Sequence, residues 1–226
     1  MTLMENGNHN ECLCGYYSEH ARHYVGVDCV IFGLHEGKLN ILLIHRRMMP
    51  GKDQWSLMGG FVEADESVDD AAKRVLYQLT GLENVYMEQV GTFGAVDRDP
   101  GARVISVAYT ALINFDEHDR QRVIDNDAHW VALDNMPRLY FDHPQIVEKA
   151  LESLREQINQ KPIVFRFLPE LFTLRQLQSV YEAILGEELD KRNFRKRMAD
   201  MDLLEKTDLI DKSNSKRGAT LYRIKN

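Results

Sequence analysis

The distribution of hydrophobic and polar positions along this chain predicts two structural parts. In the first part, short apolar runs rich in β-branched and aromatic residues alternate with turn residues, which is typical of strands. The predicted strands cover residues 24–32, 38–45, 55–62, 86–93, 104–113 and 129–133. A helical stripe of apolar residues over 68–79 ends at Gly81, and an amphipathic helix over 144–159 follows Asp142 as its cap. Strands that enclose two helices predict an α/β fold.

The second part, residues 161–226, contains a helical pattern of apolar residues that begins at Leu174. Thr173 and Gln176 form a capping box, in which a hydroxyl and an amide three residues later satisfy each other's backbone N–H groups. The helix that follows, over 174–185, has its apolar residues on one face, and Gly186 ends it. The sequence therefore predicts a well-bounded helix at this point.

A strongly basic helix comes next. Asp190 caps it, it covers residues 191–201, and a hairpin with a basic tip follows over 203–224. Helix, tight turn, basic helix and hairpin are typical of a winged helix-turn-helix, so we expect double-stranded DNA as a partner. The candidate DNA-binding residues are Lys191, Arg192, Asn193, Arg195, Lys196, Arg197, Lys216 and Arg217. The alternative is that this basic face is only solvated.

The charge distribution separates the same two parts. Residues 161–226 carry 14 Lys and Arg against 10 Asp and Glu, whereas residues 1–160 carry 14 against 25. An acidic body joined to a basic tail favours binding of a polyanion by the tail alone. We therefore predict a loosely ordered segment (1–22), an α/β domain (23–160) and a DNA-binding domain (161–226).

The loop and helix at residues 59–82 resemble the signature of Nudix hydrolases. The positions in register are Gly60, Glu66, Arg74, Leu76, Gly81 and Leu82, whereas Val75, Gln78 and Leu79 occupy positions that are acidic in that family. Hydrolysis of nucleoside diphosphate derivatives needs Mg²⁺, which prefers carboxylate oxygens. Val and Leu offer no metal ligand, and Gln offers only a weak one. We therefore expect that the protein is not an enzyme and that it has no catalytic residue, no bound metal and no cofactor. The alternative is a hydrolase that uses unconventional ligands at Glu63, Asp65 and Glu66.

A degenerate Nudix domain followed by a winged helix resembles the Nudix-related transcriptional regulators. That resemblance implies a Nudix-like α/β/α sandwich followed by a small winged helix-turn-helix domain. It also implies a homodimer that binds operator DNA and is released by a small-molecule effector. FTLRQL at 172–177 and NFRKR at 193–197 resemble the arabinose-responsive branch of the family. This implies a pentose such as L-arabinose as the effector, and ADP-ribose, the effector of another branch, is the alternative.

The cleft around the missing metal site is the expected effector site. The candidate effector-binding residues are Arg46, Trp55, Glu66, Asp97 and Arg98. An aromatic face and paired polar groups suit a sugar, whereas several arginines suit a diphosphate. The alternative is that Trp55 belongs to the core, Glu66 stabilises the start of the helix and Arg98 belongs to a turn.

The remaining composition indicates a cytoplasmic protein. No apolar run approaches the roughly 20 residues that a membrane span needs, so we expect no membrane partner. Three cysteines do not suggest a disulfide framework. Cys12 and Cys14, with His9 nearby, lack the two-residue spacer of common zinc sites, so we do not predict a metal site there.

Overall fold

The computed structural model describes residues 18–35, 37–83, 85–114, 120–158, 162–212 and 218–225. Outside these ranges lie Cys12, Cys14, the candidate DNA-binding residues Lys216 and Arg217, and most of the predicted N-terminal segment. Within the described ranges, no helix has both the length and the apolar character needed to cross a membrane.

A seven-stranded mixed sheet forms the centre of the first part. Its strands are β1 (Tyr24–His35), β2 (Lys38–His45), β3 (Trp55–Ser56), β4 (Met58–Phe61), β5 (Met87–Phe93), β6 (Val104–Asn114) and β7 (Ala128–Ala132). The order along the sheet is β3-β2-β1-β6-β5, while β4 pairs with β1 and β7 pairs with β2. β1 and β6 run parallel, and the other pairs are antiparallel. The central position of β1 explains its nearly continuous apolar run, because both of its faces are covered.

Helices pack on both faces of this sheet. They are α1 (Val68–Thr80), α2 (Arg120–Asp125) and α3 (His143–Gln157). Val27 and Ile31 of β1 join the core under α1, whereas Val30 and Phe32 join the core under α3. Successive side chains of a strand point to opposite faces, which is why one strand contributes to two cores. The predicted α/β/α arrangement is confirmed.

The ends of α1 are determined by local hydrogen bonds. Ser67 Oγ accepts a hydrogen bond from the backbone N–H of Asp70 at 3.1 Å. Gly81 has φ 71°, a left-handed conformation that glycine adopts without steric cost, and its N–H donates to the carbonyl oxygen of Tyr77 at 2.8 Å. The predicted loop-to-helix transition and the helix end are therefore where the sequence indicates.

The second part is a small winged helix. It comprises a 3-10 helix (Pro162–Phe167), β8 (Phe172–Thr173), α4 (Leu174–Leu185), α5 (Lys191–Asp200), β9 (Leu204–Asp211) and β10 (Ala219–Ile224). The three strands form an antiparallel sheet in the order β8-β10-β9. The capping box at α4 is present as predicted: Gln176 N–H donates to Thr173 Oγ1 at 3.2 Å, and Thr173 N–H donates to Gln176 Oε1 at 2.8 Å.

One hydrophobic core joins the two parts. The core under α3 continues through the 3-10 helix into α4, and Leu154, Phe165 and Leu177 are all buried in it. Two hydrogen bonds cross the same junction: Tyr181 Oη donates to the carbonyl oxygen of Ile158 at 3.3 Å, and the Arg155 guanidinium donates to α4. The winged helix is therefore packed against the first part within one chain.

Several local features differ from the sequence prediction. The strand β1 extends to His35, and the short elements α2 and β8 have no signal in the apolar pattern. Asp142 does precede α3, but its side chain makes no capping hydrogen bond. The carboxylate of Asp142 is instead bound by Arg98, a long-range partner that local sequence does not reveal.

Candidate functional site

A cavity of about 330 Å³ lies where β1, β2 and β4 meet the start of α3. Arg46, Phe61 and Phe141 are among its lining residues, together with the glycines of β4. A Cβ on Gly59 would lie 2.5 Å from the carbonyl oxygen of Val27, so β4 approaches β1 this closely only with glycine at that position. This volume is at the lower end of the roughly 300–1,000 Å³ found for small-molecule sites.

A buried ionic network forms one wall of the cavity. Arg98 donates to Asp142 through Nε at 2.9 Å and Nη2 at 2.7 Å, and Nη2 also donates to Asp28 Oδ2 at 3.0 Å. Ser106 Oγ donates to the same Asp28 oxygen at 2.6 Å. His143 Nε2 lies 3.4 Å from Asp28 Oδ1, while its Nδ1 accepts a backbone N–H. Because two carboxylates surround the one guanidinium, this network offers little positive charge to an anionic ligand.

The carboxylate of Asp28 is ionised despite its burial. Burial by itself would favour the neutral form. Hydrogen bonds from His143 and Ser106, with the nearby charge of Arg98, outweigh that effect and lower the pKa of Asp28 to about 2. The Asp28 carboxylate is therefore charged at neutral pH.

Another part of the cavity lining is cationic and aromatic. The Arg46 guanidinium lies over the ring of Phe141, 4.6 Å from its centroid, and Arg46 Nε donates to the carbonyl oxygen of Pro50 at 2.8 Å. Phe141 has φ 56°, which is unusual for a bulky side chain. Phe61 lines the cavity and is 51% exposed, and the ring of Tyr24, 59% exposed, lies beside it with 5.4 Å between centroids. These groups offer a positive charge and flat apolar surfaces to a ligand.

The positions that are acidic in Nudix hydrolases have a different environment here. Val75 and Leu79 are buried in the core between α1 and the sheet, and Gln78 is exposed. Glu66 accepts two hydrogen bonds from Arg74, at 3.0 and 2.6 Å, and one from the Glu63 N–H at 2.9 Å. These hydrogen bonds, led by those from Arg74, lower the pKa of Glu66. The carboxylate thus holds the entry loop against α1.

Of the five predicted effector residues, the structure brings Arg46 and Arg98 together at the cavity. Trp55 instead stacks on His45, with a distance of 3.8 Å between ring centroids. Asp97 is exposed in the turn after β5, and Glu66 is engaged in the loop contacts described above. Trp55 and Glu66 therefore have packing and loop-holding contacts, and their part in effector binding stays a prediction.

Asp28, Phe141 and His143 line the cavity but were not among the effector residues predicted from the sequence. Asp28 had a detectable signal, because a carboxylate in the middle of an apolar strand is rarely buried without a partner. Phe141 and His143 had none, since each reaches the cavity only through the way α3 packs on the sheet.

The basic helix α5 presents most of its predicted residues to solvent. Lys191, Arg192, Asn193, Arg195 and Lys196 are exposed. Phe194 and Met198 are buried and anchor the helix to α4. Arg197 is half-buried, and its guanidinium lies 5.3 Å from the centroid of the Tyr181 ring. The helix therefore offers a row of cations and an amide on its outer face, while Arg197 also packs inside its own domain.

Comparison with known protein families gives one match for each part of the chain. The NUDIX domain matches residues 22–151. The NrtR DNA-binding winged helix domain matches residues 164–224. The predicted link to arabinose-responsive regulators gains no support from these matches or from the relatives that follow.

One relative and two structures of a second relative are similar to much of the chain. The chain is 37% identical over 230 residues to the ADPR responsive transcriptional repressor NtrR of Acinetobacter baylyi, covering 99% of this chain and 92% of that protein. Shewanella oneidensis NrtR complexed with a 27mer DNA has a TM-score of 0.79 and 34% identity, covering 89% of this chain and 93% of that one. The NUDIX domain of the same protein complexed with ADP ribose has a TM-score of 0.54 and 32% identity, covering 63% of this chain and 99% of that one. The chain therefore belongs to the family of NrtR-type transcriptional regulators, in which a NUDIX domain precedes a DNA-binding winged helix domain.

Proposed function

We propose that this protein is a cytoplasmic transcriptional repressor whose Nudix domain binds ADP-ribose and whose winged helix binds operator DNA. The observation that carries the proposal is the burial of Val75 and Leu79 in α1, in a chain that also presents the exposed basic helix α5. A Nudix fold that has apolar residues where Mg²⁺ ligands belong is suited to binding a nucleotide without cleaving it. The name of the Acinetobacter relative and the ADP-ribose complex of the Shewanella domain support the same effector.

The cavity supports ADP-ribose better than a free pentose. A diphosphate needs a cation that is not already neutralised. Arg46 meets this need because its guanidinium contacts a carbonyl oxygen and an aromatic ring. An adenine ring needs a flat apolar surface, which Phe61 in the cavity lining and its neighbour Tyr24 provide. A pentose carries neither group, so it would leave both features unused. L-Arabinose, the effector first predicted from the sequence, therefore serves as the comparison ligand.

We also propose that the chain does not hydrolyse its ligand. The rival hydrolase would need Glu63, Asp65 and Glu66 as metal ligands, but the Glu66 oxygens already accept hydrogen bonds from Arg74 and Glu63 N–H. The matching assay is release of AMP from ADP-ribose in the presence of Mg²⁺ or Mn²⁺. We expect no turnover above the rate without protein, and turnover abolished by Glu66→Gln would favour the hydrolase.

For DNA, we propose that two protomers pair through their Nudix domains. This would place two copies of α5 about one helical turn apart, roughly 34 Å, on a near-palindromic operator. ADP-ribose would favour a dimer geometry in which that spacing is lost. The effector must then bind the two geometries with a difference of a few kcal/mol, because equal affinity would shift no equilibrium. In this proposal the Nudix domain comprises residues 23–160 and the DNA-binding domain comprises residues 161–226.

The test is fluorescence anisotropy with a labelled fragment from upstream of the protein's own operon. Binding is measured at two salt concentrations, alone, with ADP-ribose and with L-arabinose, and with random DNA as the competitor. We expect operator binding that exceeds binding to random DNA and that ADP-ribose reverses. Release by L-arabinose and not by ADP-ribose would show that the pentose is the effector, while the proposed repressor function would stand. Binding to the fragment that equals binding to random DNA at both salt concentrations would contradict operator recognition at this site.

A further inference from the structure

Three potential metal ligands converge where the end of β2 meets the start of β7. His129 Nε2 lies 2.9 Å from Asp127 Oδ1, and His45 Nδ1 lies 3.4 Å from Asp127 Oδ2. One ligand atom from each of the three side chains can be chosen so that all lie within 4.8 Å of one another. His45 ends β2, His129 is the second residue of β7, and Asp127 lies in the turn before β7. The antiparallel pairing of β2 with β7 brings together residues that are far apart in sequence.

This cluster lies away from α1. Trp130, the neighbour of His129 in β7, packs in the core under α1. Successive side chains in a strand point to opposite faces, so His129 points to the face that α3 covers. Trp55, which stacks on His45, packs against the core of that same face. The cluster is therefore on the opposite side of the sheet from α1, where the carboxylates of Nudix hydrolases lie.

The composition of the cluster suits a borderline divalent metal. Zn²⁺ binds imidazole nitrogens at about 2.0–2.1 Å and carboxylate oxygens at about 2.0–2.2 Å, so its ligand atoms lie a little over 3 Å apart. The spacings of 2.9 and 3.4 Å around Asp127 are close to that value. All three side chains are between 32% and 49% exposed, which leaves room for a metal to enter and for water to complete its coordination.

Two features of the surroundings orient the ligands. The indole of Trp55 lies against the imidazole of His45, with ring centroids 3.8 Å apart, and limits rotation of that ring. Asp127 has φ 53°, a left-handed conformation that aspartate tolerates better than most residues, and its two oxygens point to different histidines. Support of ligands by neighbouring groups is a general property of protein metal sites.

We propose that His45, Asp127 and His129 form a binding site for Zn²⁺ or a similar first-row divalent transition metal, with water in the remaining positions. Binding requires neutral imidazoles that coordinate through Nδ1 of His45 and Nε2 of His129. The metal would connect the end of β2 to the turn before β7. Arg46, the residue after His45, lines the cavity, and Arg47 donates to the carbonyl oxygen of Asp125 at 2.8 Å, so the site adjoins the loop that carries the cationic side of the cavity.

The test uses the full chain without a histidine tag, freed of metal with a chelator and then dialysed. Zn²⁺ affinity is measured by competition with a chromophoric chelator, and Co²⁺ is used for its absorption spectrum. His129→Ala and Asp127→Asn remove one ligand each. His23→Ala, a change of an exposed histidine outside the cluster, is the matched control. A Cys12→Ser, Cys14→Ser double variant tests whether the N-terminal thiols supply the ligands instead.

We expect one Zn²⁺ per chain and a melting temperature that rises on its addition. Loss of an outer-shell partner already weakens metal binding roughly 10–100-fold, so each ligand variant should lose at least about tenfold in affinity and lose the rise in melting temperature. The His23 and double cysteine variants should retain both. The proposal is overturned by no stoichiometric binding, by binding that survives both ligand changes, or by a Co²⁺ spectrum with thiolate charge-transfer bands that the cysteine changes remove.

Discussion

Arg98 and Asp142 form a buried two-point ion pair that fastens the turn between β5 and β6 to the start of α3, with N–O distances of 2.9 and 2.7 Å. The Arg98 side chain is only 5% exposed. The same guanidinium reaches Asp28 at the centre of the sheet, so one residue holds two carboxylates from different elements. The wall of the cavity depends on this contact, because Asp28, Arg98 and His143 all line it.

Arg98→Ala should destabilise the protein strongly. Removal of the guanidinium leaves Asp28 and Asp142 buried without their shared counter-charge, and breaking a buried pair in this way costs about 3–5 kcal/mol. The free energy of unfolding in urea measures the loss. Lys73→Ala breaks the exposed pair with Asp70, at 3.3 Å, and should change stability by no more than about 1 kcal/mol. Equal effects of the two changes would contradict the structural role of Arg98.

The stability of the protein should fall in acid partly through Asp28. Its pKa in the folded state, about 2, lies below the ordinary value of about 4, so the ionised group stabilises the fold above about pH 4. That contribution is lost as the pH falls from about 4 toward 2. Asp28→Asn should be less stable than the unmodified protein at neutral pH. Between pH 4 and 2 its free energy of unfolding should then fall less than that of the unmodified protein, by on the order of 2 kcal/mol.

Unfolding free energy measured against pH tests this expectation. Asp134→Asn, the same change at an exposed position, is the control and should follow the curve of the unmodified protein. A curve for Asp28→Asn that parallels the unmodified protein from pH 5 to 2 would show that another group produces the acid sensitivity.

Leu177→Ala should destabilise both parts of the chain together. Leu177 of α4 is fully buried in the core that continues to α3 and the sheet, so the change leaves a cavity and costs about 2–5 kcal/mol. Both tryptophans of the protein, Trp55 and Trp130, lie in the first part. Their fluorescence should report a melting transition lowered to the same extent as that seen by circular dichroism.

The control for this change is Leu209→Ala in β9, where the side chain is 54% exposed. It should lower the transition little by either method. If Leu177→Ala left the tryptophan transition unchanged while circular dichroism shifted, the two parts would unfold independently and the shared core would not couple them.

Arg46→Ala should weaken the binding of ADP-ribose. A charge-assisted hydrogen bond to a phosphate contributes about 1.5–3 kcal/mol, which corresponds to a loss of roughly tenfold or more in affinity. Isothermal titration calorimetry of the full chain measures this loss. Arg47→Ala, at the next and exposed position, is the matched control and should bind nearly as the unmodified protein does. A larger loss for Arg47→Ala than for Arg46→Ala would move the phosphate site out of the cavity.

Arg195→Ala should reduce discrimination between operator and random DNA, because its exposed position on α5 suits contact with base edges. Lys216→Ala should weaken binding to all sequences alike and reduce the salt slope by about one, as expected for a phosphate contact. Anisotropy titrations at several salt concentrations separate the two effects. Lys149→Ala, on the exposed face of α3, is the control with no expected effect. If Arg195→Ala and Lys216→Ala each reduced the affinity for operator and random DNA equally, the proposal that α5 reads base edges would be wrong.

The sequence by itself determined the elements whose ends depend on near neighbours. The caps of α4 and α5 and the glycine that ends α1 were predictable because each hydrogen bond joins residues at most four positions apart. The spacing from Gly60 to Leu82 likewise identified the Nudix frame and the replaced carboxylates. These features need no knowledge of packing, since the local chain alone supplies donor, acceptor and backbone conformation.

The tertiary structure decided which polar side chains meet. Arg98 donates hydrogen bonds to Asp142 and Asp28, which lie 44 and 70 positions away in the sequence. No local pattern could therefore show that the Asp142 carboxylate binds Arg98 and does not cap α3. Trp55 was expected at the cavity, but strand pairing placed it against His45. The same pairing of β2 with β7 assembled the proposed metal site. Such contacts depend on the register of distant strands, and a shift of one residue would turn each side chain to the other face.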